Sequence, residues 1–277
     1  MALIEIAGVA KTFGDRCVLS GVSLAVEEGE FVSIAGASAS GKTTLMKIAP
    51  GLMPAGKGSV SVDGKPVTEF SREAAIVFQN YSLLPWLSAL ENVRLAVEPA
   101  FPGKGAAWHT AHADRYLRMV GLGTAMSKRP GQLSGGMRQR VAIARAFAVE
   151  PKVMFLDEPF GALDALTRST LQQELARMCS EASRPVTTLM ITNNIDEAIL
   201  LSDRIVALGR GPAASLSPAV PVGLPKPRAA NLLLHDKAAV LIRARLAEFL
   251  TATARPPAAV RGTSVPAARE IPVEARS

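Results

Sequence analysis

The sequence predicts an α/β protein whose largely parallel sheet is covered by helices on both faces. Three observations carry this reading. Short apolar strands at 31–35, 153–156, 187–192 and 204–208 alternate with segments of helical spacing, the pattern of a sheet buried on both sides. A glycine-bounded loop at 36–41 joins the first of these strands to a helix. The 277 residues are 48% apolar, enough to close a core without disulfides or metal and too apolar for wholesale disorder.

In chain order, residues 3–6, 18–19 and 22–26 are brief apolar bursts, and Glu27-Glu28-Gly29-Glu30 turns into the strand at 31–35. A helix is expected over 43–49, stopped by Pro50-Gly51. Residues 60–67 read as a hairpin with Asp63-Gly64 at its turn, and 75–78 as a short strand. Residues 88–150 read as mostly helical, without a good strand. The strand at 153–156 ends in two acids, an amphipathic helix covers 166–181, and a helix at 196–201 separates the last two strands. From 209 to 227, five prolines mark a linker or an extended segment lying along the surface. Residues 231–250 regain helical spacing and are expected to dock. Residues 251–277 lack a periodic apolar pattern and are expected to be disordered.

Composition excludes several classes. No run reaches the ~18 apolar residues that a membrane-spanning helix needs. Cys17 and Cys179 lie far apart with no motif around them, which excludes a disulfide scaffold and favours a reducing compartment. The opening residues carry Glu5 and no basic run ahead of a long apolar stretch, so they do not read as a secretory signal. Net charge is +7, and residues 226–277 hold nine basic against four acidic residues. Those charges are dispersed rather than blocked, so the tail is read as solvated rather than as a nucleic-acid or membrane contact. His109 and His112 sit at i,i+3 without Cys or carboxylate partners and are expected to be surface helix residues rather than metal ligands.

The chemistry is concentrated in two motifs. Gly36-Ala37-Ser38-Ala39-Ser40-Gly41-Lys42-Thr43 fits the phosphate-loop pattern between a strand and a helix. Successive backbone N–H groups and the helix N-terminus suit phosphate oxygens, Lys42 suits the β- and γ-phosphates, and the Thr43 hydroxyl suits Mg²⁺. Asp157 and Glu158 end an apolar strand at the edge where such sheets bind ligands. Asp157 suits the Mg²⁺ shell and Glu158 a general base toward water.

A third motif, Leu133-Ser134-Gly135-Gly136-Met137-Arg138-Gln139-Arg140, resembles the signature of ABC-type ATPases. Gln79 after a strand resembles the family's Q-loop, and Gly161-Ala162-Leu163-Asp164 its D-loop, in the family's order. The resemblance covers residues 1–210. It implies a P-loop ATPase core (30–80 with 150–210), an antiparallel β-subdomain (1–30 with 58–68) and an inserted helical subdomain (about 85–148). Residues 211–250 would be a Pro-rich segment and C-terminal helix, and 251–277 the tail. The resemblance also implies ATP and Mg²⁺ as ligands. Phe13 would stack on adenine, and Gly36, Ala37, Ser38, Ala39, Ser40, Gly41, Lys42, Thr43 and Thr44 would hold ATP. Thr43, Gln79 and Asp157 would hold Mg²⁺, and Glu158, Gln79 and Asn193 would act in hydrolysis. Leu133, Ser134, Gly135, Gly136, Met137 and Gln139 would close on the ATP of a second cassette, with Ser134 as a helix N-cap and Asp164 in the D-loop.

Two positions depart from the family. Ala39 stands where it usually has Gly, and Asn193 where it usually has a switch histidine. Asparagine is shorter and cannot become cationic, so a slow ATPase is one expectation and an unimpaired positioning role the other. Leu83, Leu84, Trp86 and Leu87 follow Gln79, where the family receives a membrane subunit; internal core of the helical subdomain is the other reading for any one of them. The phrase from Gln79 to Trp86 is similar to nitrate, sulfonate and taurine importers. Residues 191–198 and 211–214 resemble the nitrate branch most. The resemblance thus implies the ATPase subunit of a bacterial importer, for nitrate or for a sulfonate or taurine. It would lie peripherally on the cytoplasmic membrane face, paired with an identical or sister cassette, with two integral membrane permeases and, indirectly, an extracytoplasmic solute-binding protein. No nucleic-acid partner is expected, although a non-transport ABC ATPase acting on nucleic acid or ribosomes is the alternative from another class.

Overall fold

The computed structural model describes residues 2–161, 163–181, 185–210, 213–229 and 232–254. In chain order these form β1 (Ala2–Phe13), β2 (Arg16–Glu27), β3 (Phe31–Ala35), α1 (Lys42–Ile48), β4 (Lys57–Val62), β5 (Lys65–Pro66) and β6 (Ala74–Val77). Three helices follow, α2 (Ala89–Ala100), α3 (Ala106–Met119) and α4 (Gly135–Phe147), with a 3₁₀ turn at Pro130–Gln132 before α4. Then come β7 (Val153–Asp157), α5 (Ala165–Glu181), β8 (Thr187–Thr192), α6 (Ile195–Leu201), β9 (Arg204–Ala207), β10 (Val220–Pro221), α7 (Leu232–His235) and α8 (Lys237–Ala254).

The strands form two sheets. The larger has the order β10-β9-β3-β8-β7-β6 and is parallel except for β10 at its edge. The smaller, β2-β1-β4-β5, is antiparallel, and Asp63 and Gly64, both at positive φ, turn β4 into β5. Alternation along the parallel strands feeds two cores. Val32, Ile34, Val153, Phe155, Leu189 and Ile191 face α1 and the antiparallel sheet. Phe31, Ala35, Met154, Leu156 and Met190 face the helices inserted between β6 and β7. The fold is the α/β class expected, with its antiparallel sheet and helical insert.

Three local expectations need correction. The apolar bursts before residue 27 belong to two twelve-residue strands. One face of that hairpin meets solvent, so polar residues interrupt it. His109 and His112 are buried rather than superficial. The Nε2 of His109 bonds the Phe101 carbonyl at 2.9 Å, and that of His112 bonds the Ala148 carbonyl at 2.9 Å. His112 also stacks on Trp108 with ring centroids 4.4 Å apart. Finally, α8 runs to Ala254, so residues 251–254 belong to a helix and not to a tail. The remaining expected tail, 255–277, lies outside the described residues.

The Pro-rich stretch resolves to the surface-lying alternative. Ala214 bridges Leu19, Leu216 bridges Leu208, and β10 extends the sheet. Residues 211 and 212, half of the expected nitrate-branch likeness there, lie outside the described residues. Beyond the stretch, the Arg228 guanidinium donates to the carbonyls of Ile199, Ser202 and Leu224, closing the C-terminal end of α6. Ala239, Ile242 and Leu246 then bury one face of α8.

Candidate nucleotide-binding and hydrolysis site

The carboxyl ends of β3, β7 and β8 bring three segments together. β3 leads into the phosphate loop, whose Gly36 N–H donates to the Thr192 carbonyl at the end of β8 (3.2 Å). Gly41 caps α1 at φ 101°, a conformation that side chains rarely adopt. A Cβ there would also lie 3.0 Å from Leu19 and 3.1 Å from Val18. Ala39, the departure from the family's glycine, also sits in the left-handed region at φ 63°. The loop thus keeps a glycine-like backbone there at a steric cost of about 1 kcal/mol or more.

Lys42 is 3% exposed. Its ammonium donates to the carbonyls of Gly36 (2.9 Å) and Ala37 (2.9 Å) and to Asn193 Oδ1 (2.7 Å). Glu158 Oε1 lies 3.7 Å away. Burial pushes the ammonium below its ordinary value, against the raising pull of Glu158 and Asp157. Asn193 Nδ2 donates to Glu158 Oε1 at 2.6 Å. One amide therefore ties the loop cation to the acid at the end of β7. Gln79 Nε2 reaches the other oxygen, Oε2, at a long 3.4 Å. Glu158 itself takes φ 45°, a strained setting of the kind found at functional sites.

Asp157 is buried, and its Oδ1 has no hydrogen-bond partner among the described residues; the same holds for Ser40 Oγ. Burial, then the neighbouring Glu158, hold the Asp157 carboxyl above its ordinary value, while Lys42 and Lys47 pull it down. An orphaned carboxylate oxygen beside a hydroxyl-bearing phosphate loop is what a hard, oxygen-seeking ion needs. The donor set Thr43, Gln79 and Asp157 fits Mg²⁺ on that ground.

A cavity of about 580 Å³ joins these parts. Phe13, Ser38, Ala39, Gly41, Lys42, Thr43, Thr44, Gln79, Glu158 and Asn193 all line it. Phe13 is 47% exposed, which leaves a ring face available for stacking. The sequence reading missed Arg16 and Val18, which also line the cavity. Arg16 pairs directly with Phe13 across the Gly14-Asp15 turn, so the spacing of a two-residue turn was the available signal. It also missed Arg210, which reaches the Ser38 carbonyl at 3.4 Å.

The Leu-Ser-Gly-Gly segment does not line this cavity. Ser134 caps α4, accepting from Met137 N–H at 3.2 Å. Within the single chain Gln139 is 1% exposed and its side chain packs inward, and Leu133 is also buried. A Cβ on Gly136 would fall 2.3 Å from Thr167 Cγ2, so that glycine serves the contact between α4 and α5. Ser134, Gly135 and Met137 remain accessible at the helix start. Asp164 caps α5 through Thr167 N–H (3.0 Å). Its D-loop neighbour Ala162 lies outside the described residues.

Comparison with known proteins agrees with this geometry. The family model described as ABC transporter matches residues 19–161, more than half of the chain. The nitrate import ATP-binding protein NrtD of Synechococcus elongatus is 44% identical over 246 residues, covering 87% of this chain and 89% of that protein. The nitrate transport protein NasD of Klebsiella oxytoca is 42% identical, covering 90% and 96%. The bicarbonate transport ATP-binding protein CmpC of Synechocystis is 44% identical over 86% of this chain, but the chain spans only 35% of that longer protein. Among solved structures, the ATP-binding cassette MJ0796, dimeric in a post-hydrolysis state bound to ADP and Pi, superposes with a TM-score of 0.71 and 32% identity. It covers 79% of this chain and 98% of that one. The match spans the phosphate loop, the Leu-Ser-Gly-Gly helix and the paired acids in one stretch, and the chain belongs to the ABC transporter family as one of its ATP-binding cassettes.

Proposed function

We propose that this cassette hydrolyses ATP to power a nitrate importer. The observation that supports it most directly is the Lys42–Asn193–Glu158 bridge in a cavity lined by the phosphate loop. ATP would lie with adenine on Phe13 and its phosphates in the loop. Lys42 would exchange its carbonyl partners for phosphate oxygens. Thr43, Gln79 and Asp157 would hold Mg²⁺, which when bound supplies positive charge to the β- and γ-phosphate oxygens. Water adds to the γ-phosphorus, the bond to the bridging oxygen breaks to leave ADP, and Glu158 takes the water's proton. Gln79 and Asn193 hold the two oxygens of Glu158 in place for that transfer.

The signature residues lie away from this chain's own cavity, and the related cassette MJ0796 is dimeric. On that support, Ser134, Gly135 and Met137 close on the ATP of a second cassette, and hydrolysis opens the pair. Trp86 is 64% exposed and follows Gln79 closely, where an integral membrane permease would dock. Among the described residues no helix is long and apolar enough to cross a membrane, so the proposed place is peripheral, on the cytoplasmic face. Relatives named for nitrate support nitrate as the solute, and those named for bicarbonate support a second planar oxyanion as the competing one. Proteoliposomes carrying the whole transporter test both levels. Nitrate delivered by the binding protein should stimulate ATP hydrolysis. Stimulation by bicarbonate or taurine alone would reassign the solute, and full turnover by Glu158→Gln would remove Glu158 as the base.

A further inference from the structure

The turn that carries Gln79 is held from an unexpected direction. Tyr81 N–H closes it onto the Phe78 carbonyl at 3.0 Å, with Gln79 and Asn80 between. Tyr81 and Ser82 then take φ 64° and 46° in succession, two left-handed residues without a glycine. Arg145, near the end of α4, donates to both of their carbonyls, to Ser82 at 2.6 Å and to Tyr81 at 2.9 Å. No carboxylate pairs with Arg145 among the described residues, and those two carbonyls accept from its guanidinium instead. Arg138, about two turns earlier on the same face of α4, places its guanidinium 5.6 Å from the Tyr81 ring centre and donates to the Leu133 carbonyl next to Ser134.

We propose that Arg145 is a positioning residue for ATP hydrolysis. Its planar fork fixes the Tyr81–Ser82 turn, and through it sets the Gln79 amide against Glu158. Because α4 carries Ser134 at one end and Arg145 at the other, any shift of that helix moves Gln79 with it. Lysine keeps the charge but is a single point donor on a flexible stem, so it cannot hold two carbonyls in a fixed geometry. The inference rests on the reading that Gln79 and Glu158 act at the attacking water.

A cycle of full-length variants tests it, with kcat, apparent KM for ATP and melting temperature measured for each. Arg145→Lys and Gln79→Ala should each lower kcat by about 10- to 100-fold, with KM within about twofold. The double variant should be no slower than Gln79→Ala alone, since Arg145 acts through Gln79. Adding Ser82→Gly to Arg145→Lys should restore most of the rate, because glycine takes the left-handed conformation without strain. Ser82→Val leaves the arginine in place but resists φ 46°, and should reproduce the loss of kcat. Losses that multiply in the double variant, or a lower melting temperature with unchanged kcat, would overturn the proposal. Impaired Gln79→Ala with normal Arg145→Lys sinks this inference alone. Full turnover by Gln79→Ala sinks the underlying reading of Gln79 and this inference with it.

Discussion

The two ends of β7 use buried polar groups in opposite ways. At its carboxyl end, Asp157 Oδ1 and the nearby Ser40 Oγ have no hydrogen-bond partner among the described residues. Just before its amino end, the polar groups are matched: His112 bonds the Ala148 carbonyl, and Tyr116 OH donates to Glu150 at 3.2 Å. Burial and the Glu150 charge push that phenol up to about 12, so it stays a donor. An unmatched buried polar group costs about 1–3 kcal/mol. A fold keeps such groups where a ligand will complete them. The buried Gln139 amide is unmatched too, but away from the cavity that holds Lys42. Asp157 and Ser40 differ in standing next in the chain to Glu158 and to Ala39 and Gly41, which line that cavity.

The contrast is tested most strongly by Lys42→Ala. Removing the cation from the phosphate cradle should lower hydrolysis by on the order of 10²–10³-fold or more. The melting temperature should move by only a few degrees, because the cost of burying the ammonium offsets its three hydrogen bonds. Steady-state ATPase assays with thermal melts measure both. Near-normal turnover would break the assignment of this end as the functional one.

His112→Ala should do the reverse. It removes a carbonyl hydrogen bond and the stack on Trp108, so stability should fall by about 2–4 kcal/mol. The rate per folded molecule should stay within about twofold. Denaturant unfolding, set beside ATPase scaled to folded protein, checks this. A loss of rate with intact stability would place the histidine cluster in the mechanism.

Legibility in the sequence follows the same division. The phosphate loop, the paired acids and the signature were readable because their chemistry depends on contiguous backbone and on side chains delivered by strand ends. Ser134 could be named a cap from its place before a helix. Arg16 was readable only through the two-residue Gly14-Asp15 turn that pairs it with Phe13, and Arg145 was not readable as a site residue. Arg16 reaches the cavity through a hairpin pairing, and Arg145 reaches Ser82 and Tyr81 across 63 and 64 residues of chain. His112 was misjudged because its helix carries arginines and alanines as well, and only the packing of Trp108 and Phe101 around it shows which face is inward. The Pro-rich stretch was ambiguous because proline disfavours helix without saying whether an extended chain finds an edge strand.

Asp157→Asn sharpens the comparison through pH. Burial raises the Asp157 carboxyl above its ordinary 3.8, so the ligand-free fold binds its proton more readily than the unfolded chain does. Stability is therefore lost as pH rises through that window, and the cost of the ionised form persists above it. The asparagine variant should melt higher than the parent at neutral pH without nucleotide. That advantage should vanish below about pH 4, where both forms are neutral. It should also lose much of the added melting temperature that Mg·ATP gives the parent. A neutral-pH melting temperature below the parent's would mean that the attraction to Lys42 outweighs desolvation.

Asn193→His makes the smallest change and bears on how this end tolerates its unusual residue. The Asn193 amide accepts from Lys42 with Oδ1 and donates to Glu158 with Nδ2. An imidazole has two ring nitrogens as well, but they sit on a larger, rigid ring and diverge from it. A neutral ring can meet both partners only if the main chain shifts, and a cationic ring repels Lys42. One of the two contacts should therefore weaken. A hydrogen bond to a charged group contributes about 1.5–3 kcal/mol. Only part of that is lost selectively in the transition state, so single-turnover hydrolysis should fall by about three- to tenfold, at 1.36 kcal/mol per decade. ATP affinity should hardly change, because the phosphate loop is untouched. This outcome would mean that asparagine performs the positioning role unimpaired in this cassette. A faster histidine variant would instead mean that Asn193 makes the parent a slow ATPase, and that its bridge restrains Lys42 and Glu158 more than it serves them.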